Sequence, residues 1–211
     1  MTTALNRRIF ASTYDRLSRR MEPVGVGAHR DELLAGLQGR VLEIGAGNGL
    51  NFARYPDTVN QVIAVEPQAK LREIATKAAN EARVSVQVVE GVAEKLAFAD
   101  GSFDAAVASL VLCSVSDPAQ ALAELHRVIR PGGELRFYEH VGAQEVGLRR
   151  FQKAVNVLWP HVSAGCNLTR DTAQSISAAG FEIRHERNFR FMPSRIMLPV
   201  APHVIGTAVR A

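Results

Sequence analysis

The chain has 211 residues, 47% hydrophobic and 22% charged, with 16 glycines and 9 prolines. That is enough for one sizeable core and excludes fibrous or disordered compositions. The formal net charge of +4 comes from 25 basic and 21 acidic side chains spread along the sequence, with no lysine-arginine block that would track a phosphate backbone.

Leu5, Ile9, Phe10, Tyr14, Leu17 and Met21 recur at three- and four-residue spacings with arginines between them, which predicts an amphipathic helix from about 3 to 20 over a larger core. A Pro23–Gly27 break and a helix near 28–36 follow. The runs at 40–44, 61–66, 84–89, 103–109 and 134–139 read as short buried strands, and helices are expected at 68–81 and 118–129. Arg130-Pro131-Gly132-Gly133 is expected to stop the second of these helices and turn the chain. Helices near 144–158 and 172–179 and closing strands near 181–189 and 203–210 complete a count of seven strands. Regular alternation of strand and helix predicts a mostly parallel α/β sheet covered on both faces, with its site at the carboxyl ends of the strands. The last two strands are expected to make an antiparallel edge.

Cys113 and Cys166 are the only cysteines, in no CxxC, so neither a disulfide framework nor a metal site is expected, and a cytoplasmic setting follows. The first twenty residues carry arginines but no continuous apolar run. The longest apolar passage, 105–115, is interrupted by serines and too short to span a bilayer.

The chemistry concentrates after the strands. Glu43-Ile44-Gly45-Ala46-Gly47-Asn48-Gly49 follows the first strand, so its glycines can turn tightly and bring backbone amides to a cofactor. The dinucleotide pattern wants its third glycine where Leu50 stands, and Glu43 would repel a pyrophosphate while suiting an ammonium group. This favours S-adenosylmethionine over a nicotinamide cofactor. Glu66, about twenty residues past the glycine loop, stands where a carboxylate can accept both hydroxyls of a ribose; the alternative is a helix-capping carboxylate. Ala93 and Glu94 after the third strand are candidates for the adenine edge, and Val92 for its face.

Six stretches carry a family resemblance: LEIGAGNGLNFARYP, DGSFDAAVASLVLCSVSDP, LAELHRVIRPGGELRFYEHV, Trp159, GCNLTRDT and PHVIGTAVR. With them the chain resembles the class I S-adenosylmethionine-dependent methyltransferases, and within these the methyltransferase-like seven family of alkyl-thiol methyltransferases, over most of residues 40–211. The resemblance implies a Rossmann-like sheet of order 3-2-1-4-5-7-6 with strand seven antiparallel. It also implies methyl transfer to a small lipophilic thiol, leaving S-adenosylhomocysteine. Carried over by position, it assigns cofactor contacts to Glu43, Gly45, Ala46, Gly47, Asn51, Glu66, Pro67, Val92, Ala93, Glu94 and Ser109. Two departures stand out: Val92 where many members carry Asp, and no long apolar amino-terminal anchor.

The single domain then divides into a helical cap (1–36), a cofactor-binding core (40–140), an acceptor-side insertion (141–180) and closing strands (181–211). On the acceptor side the candidates are Tyr14, Leu110, Cys113, His140, Trp159, His161 and Asn167. His140, directly after strand five, is the candidate for proton handling, with a histidine simply hydrogen-bonded in place as the alternative. Cys113 and Cys166 read as packing or pocket lining, His203 as structural and His126 as surface. Thr169 or Asp171 is expected to cap the next helix, leaving Asn167 and Arg170 free to shape the acceptor side. Phe10 and Tyr14 are candidates to close over the cofactor. The helix bearing Phe151, Val155 and Leu158 beside Arg149, Arg150 and Lys153 fits core packing, a lid, a dimer surface or weak peripheral membrane contact.

The partner is expected to be a small-molecule acceptor, with the protein a monomer or homodimer. Nucleic acid is not expected, since no NPPY-like tetrad follows strand four and no aromatic stacking platform is visible. Competing readings are O- or C-methylation of a quinone, phenol or lipid precursor, and a noncatalytic cofactor-binding module.

Overall fold

In the computed structural model, residues 4–211 are described, with side chains from Ala11 onward, so Leu5, Ile9 and Phe10 of the expected lid lie outside the described side chains. The strands are β1 (Gly39–Ile44), β2 (Val59–Val65), β3 (Ser85–Val89), β4 (Phe103–Ser109), β5 (Ile129–His140), β6 (Phe181–Arg190) and β7 (Pro202–Arg210). They form one sheet of order β3-β2-β1-β4-β5-β7-β6. The first five run parallel; β7 is antiparallel to both β5 and β6. The expected topology is thus the observed one.

Helices α1 (Ala4–Met21), α2 (Gly27–Leu34), α3 (Ala69–Asn80), α4 (Pro118–Val128), α5 (Val146–Val155), α6 (Trp159–Val162) and α7 (Thr172–Ala178) surround the sheet. Side-chain alternation along β1 divides the core. Leu42 and Ile44 join Leu122, Leu125 and Val128 of α4 and Ile176 of α7 on one face. Val41 joins Leu33 and Leu34 of α2 and Ala75 of α3 on the other. Both faces of the central strands are covered, which is why their sequences are continuous apolar runs. Asp117 caps α4 by accepting from the Gln120 amide, with Pro118 in the first turn. Outer strand β6 is mostly exposed and carries charges at Glu182, Arg184, Glu186, Arg187 and Arg190, which discourage pairing with another chain.

Several boundaries differ from the expectation: the expected Pro23–Gly27 break is a helical segment, Glu22–Val26, kinked at Gly25, and a short 3-10 turn, Phe52–Arg54, follows the first loop. Arg130-Pro131-Gly132-Gly133 does not separate helix from strand: α4 ends at Val128 and the four residues lie within β5, in a bulge between the Phe103–Ile129 and Ala105–Glu134 pairs. Arg130 is held there by Asp104, whose Oδ1 accepts from its Nε at 2.8 Å. The single helix expected over 144–158 is two, α5 and the one-turn α6, with Pro160 in the first turn of the second. A 3-10 segment, Arg195–Val200, precedes β7 where no element was expected. Among the described residues no helix is long and apolar enough to cross a membrane.

Gly206 sits where β7 is flanked by β5 and β6; a Cβ there would lie 2.6 Å from the Phe137 ring and run into the His185 carbonyl. Neither neighbour can move without opening the sheet. Gly206→Ala is expected to cost about 1–3 kcal/mol, read as a lower urea midpoint at unchanged slope.

Candidate functional site

The glycine loop leaves β1 at its carboxyl end, between β2 and β4. Gly45 turns with φ 59, and a Cβ there would collide with Val111 of the turn after β4. Glu66, one residue past β2, reaches back over this loop: its Oε2 accepts from the Gly47 amide at 2.8 Å and its Oε1 from the Gln68 amide at 2.9 Å. Burial raises its carboxyl, while those two amides oppose the shift. The expected pairing of Glu66 with the glycine loop is present, and Pro67 follows it beside the loop after β3.

Glu43 is buried beneath the loop. Its Oε1 accepts from Asn51 Nδ2 at 2.8 Å and its Oε2 from the Tyr55 hydroxyl at 2.7 Å. Burial pushes the carboxyl up to about 7, against the pull of those two donors. Arg30, a buried α2 side chain, donates to Asn51 Oδ1 (2.8 Å), Ser109 Oγ (3.2 Å) and Glu22 Oε1 (2.9 Å). Sequence reading missed both Arg30 and Tyr55, since one arginine in a helix and one tyrosine in a loop look solvent-facing until the fold closes over them.

Helix α1 covers the loop from above. Asn48 Nδ2 donates to Asp15 Oδ1 at 2.7 Å and to Ser18 Oγ at 3.0 Å. A Cβ on Gly47 would meet the Tyr14 ring at 3.3 Å. Burial raises the Tyr14 hydroxyl pKa, opposed by the positive field of Arg30. Tyr14 therefore lies over the glycine loop, as its candidacy for closing the site required.

The turn after β4 opens with Leu110 in a left-handed conformation, φ 58. Glu139, at the end of β5 and fully buried, accepts from the amides of Val111 (3.0 Å), Leu112 (2.8 Å) and Cys113 (3.1 Å). Burial raises this carboxyl well above the ordinary range, and the nearby Cys113 thiol adds to the shift. Arg170 binds the same turn through its carbonyls, donating to Leu112 O and, at 2.7 Å, to Val115 O. Arg170 is thus not free to face an acceptor. Asn167 is also committed locally: its Oδ1 accepts from the Thr169 amide and hydroxyl at 3.0 and 2.9 Å, and its amide donates to Cys113 O at 2.8 Å. Asp171, not Thr169, caps α7 through Gln174 N.

Beneath this turn Cys113 and Cys166 meet. His140 Nδ1 lies 3.8 Å from Cys113 Sγ and 3.7 Å from Cys166 Sγ. The hydrogen bond to Cys166 and burial push the Cys113 thiol up to about 12, while Cys166, as the acceptor, is lowered. Both thiols are buried with Leu168 and Val200, and Trp159, Val155 and Met197 pack against them, forming an apolar wall. His161 is exposed on α6. His203 is buried, with Nδ1 2.9 Å from Ala201 O, and burial lowers it to about 3. His126 is half-buried at the surface, where its ring packs edge-on against Phe181 at 5.1 Å.

After β3, Val92 is exposed and borders, with Pro67 and Gly91, a shallow hollow of about 420 Å³. Ala93 is buried in the core. Glu94 Oε1 accepts from the Ser116 and Asp117 amides at 2.9 and 3.3 Å, tying this loop to the start of α4. Its carboxylate is therefore occupied away from the hollow.

Residues 42–137 match the methyltransferase domain family. The chain is 40% identical to the thiol S-methyltransferase TMT1B of Homo sapiens over 185 residues, covering 84% of this chain and 74% of that protein. It is 34% identical to human thiol S-methyltransferase TMT1A, over 83% and 73% of the two chains. Among solved structures, an SAM-dependent methyltransferase from Thermotoga maritima superposes with a TM-score of 0.69 at 26% identity, over 96% of this chain and 99% of that one.

Because the folded Glu43 carboxyl sits near 7 against an ordinary 4.5, its protonated form is favoured in the fold. Its stabilising contribution is complete below about 4.5 and is lost as pH rises to about 7. Glu43→Gln is expected to remove this slope, so that wild-type stability falls relative to the variant across that window by up to about 3 kcal/mol. Urea midpoints of both proteins at several pH values check it; parallel curves would refute it.

Proposed function

The chain belongs to the class I S-adenosylmethionine-dependent methyltransferases, in the group that holds the thiol S-methyltransferases, and from this we propose that it methylates a small lipophilic thiol. The residues fit the cofactor. Glu66 offers acceptor-only oxygens to a ribose diol beside the Gly45–Gly47 turn, and the hollow beside Pro67 and Val92 can take a flat apolar ring. Buried Glu43, with a pKa close to neutrality, can ionise beside an ammonium group. When bound, S-adenosylmethionine supplies a methyl group on a sulfonium, open to in-line displacement.

The protein's own contribution is alignment and exclusion of water. Tyr14 and α1 cover the glycine loop; the turn after β4 forms the wall on the other side. The observation that carries the thiol reading is the apolar wall of Cys113, Cys166, Trp159 and Met197 meeting one imidazole, His140. Such a wall suits a lipophilic acceptor, and His140 is placed to take or orient its proton.

The reading extends to a cytoplasmic monomer or homodimer with weak peripheral membrane contact. Val157, Leu158 and Val162 are exposed near Arg149, Arg150 and Lys153, a surface suited to acidic lipid. Sedimentation with acidic but not neutral vesicles is the expected behaviour, and equal recovery with both would remove this extension.

A labelled-methyl screen across thiols, phenols, quinols and lipid precursors tests the acceptor, with transfer to thiols expected to dominate and dominance of a phenol or quinol overturning it. Glu66→Ala is expected to weaken cofactor binding about 10–100-fold, the loss of charge-assisted hydrogen bonds, as read by titration calorimetry. An unchanged affinity would remove Glu66 from the ribose site.

A further inference from the structure

Cys113, His140 and Cys166 come from three separate segments: the turn after β4, the end of β5 and the stretch after α6. Their donor atoms, two Sγ and Nδ1, all lie within 4.8 Å of one another, with both thiols buried. The imidazole points a single nitrogen at both sulfurs, at 3.8 and 3.7 Å. Tetrahedral zinc, with Zn–S near 2.3 Å and Zn–N near 2.0–2.1 Å, requires S···N edges of about 3.6 Å. The two S···N separations thus match that edge to within a few tenths of an ångström, and the sulfurs lie within 4.8 Å of each other. Packing alone, or a disulfide, would not call for a histidine aimed between the two thiols.

The backbone around the cluster is also specialised. Among the described residues, the two non-glycine positions with positive φ are Leu110 (58) and Ala164 (53), the first three residues before Cys113 and the second two before Cys166. Such conformations are sparsely populated and persist where the surroundings enforce them. The Asn167 amide on Cys113 O and the Arg170 grip on Leu112 O lock the two cysteine-bearing segments together.

We propose that Cys113, His140 and Cys166 form a site for a thiophilic divalent cation, zinc foremost, whose open fourth position takes the sulfur of the acceptor. Two thiolates and an imidazole are a soft donor set that selects zinc over magnesium or calcium. Three protein ligands with one position open are the arrangement of catalytic rather than structural zinc. The cluster adjoins the cofactor side through Val111, which packs on Gly45. An acceptor thiol entering as RSH loses its proton to solvent on coordination. A sulfur lone pair then forms the new S–CH3 bond as the sulfonium C–S bond of S-adenosylmethionine breaks, and the thioether and S-adenosylhomocysteine depart. The choice of occupant rests on the thiol reading above; the cation site itself does not.

The test uses the full chain, freed of metal with a chelator under reducing conditions. Zinc is titrated in competition with a chromogenic chelator, and cobalt(II) serves as a spectroscopic substitute. One equivalent of zinc is expected, with thiolate-to-cobalt charge-transfer absorption. Cys166→Ser and His140→Gln are each expected to weaken binding beyond the roughly 10–100-fold typical of losing an outer-shell partner. Both variants are checked for an unchanged circular dichroism spectrum and melting point; if one misfolds, the other and the wild-type cobalt spectrum still decide. Absence of stoichiometric zinc binding, a cobalt spectrum without charge transfer, or unchanged affinity in a folded variant overturns the site. So does a Cys113–Cys166 disulfide that forms while the reduced protein ignores zinc. A lipophilic monothiol, but not the matching alcohol, is expected to shift the cobalt spectrum, and no shift overturns the fourth-position assignment. Full thiol methylation by the metal-free protein would sink the metal role while leaving the acceptor reading intact. Zinc binding without any thiol methylation would do the reverse.

Discussion

Glu139 places a fully buried carboxylate under the turn that leaves β4, and the top of the sheet is organised around it. At Leu110 the chain breaks from the strand ladder, and the next amides have no strand to pair with. Three of them donate to this one side chain. Buried amides left unpaired would each cost about 1–3 kcal/mol, so a carboxylate is retained despite the desolvation that raises its pKa. Arg170 does the opposite service for two carbonyls of the same turn. With both polarities of its backbone satisfied by side chains, the turn can press Val111 against Gly45 and hold Cys113 against His140. The glycine loop and the cysteine–histidine cluster are thereby positioned by one element.

Much of the cofactor half is legible in sequence because its signals are local. Continuous apolar runs mark β1, β2 and β4, the glycines of the first loop stand directly after a strand, and Glu66 has a fixed offset from them. The supporting groups are not legible in the same way. Glu139 is one acidic residue in a strand end, Arg30 one arginine in a helix, and nothing near either in sequence names its partners. Gln152 makes the point most clearly: it is buried and bonded to Ala143 N, Val141 O and Pro199 O, a set assembled only when α5 packs against the segment before β7. The Pro131-Gly132-Gly133 run misleads for a related reason, since its turn chemistry is spent inside a strand on a bulge.

The same limit separates the two cysteines from their geometry. Metal motifs are readable when ligands share a helix or a tight loop, which fixes their spacing in the chain. Cys113 and Cys166 belong to segments that meet only because residues 166–170 lie along the turn after β4. The parallel core creates the crevice where that turn sits, and residues 166–170 supply its other wall.

The bonds from Asn48 to Asp15 and Ser18 have a thermodynamic consequence beyond holding α1 in place. The cover of the glycine loop, α1, passes into α2 through the Glu22–Val26 segment and lies outside the sheet. Lifting it disrupts no strand, so its undocking is a local equilibrium, separable from global unfolding. Ligands that touch both Tyr14 and the loop would draw that equilibrium toward the docked state, and the ordering of one helix would then appear in the heat and heat capacity of binding. Access to the site is in this sense a property of α1, while the shape of the site is a property of the sheet.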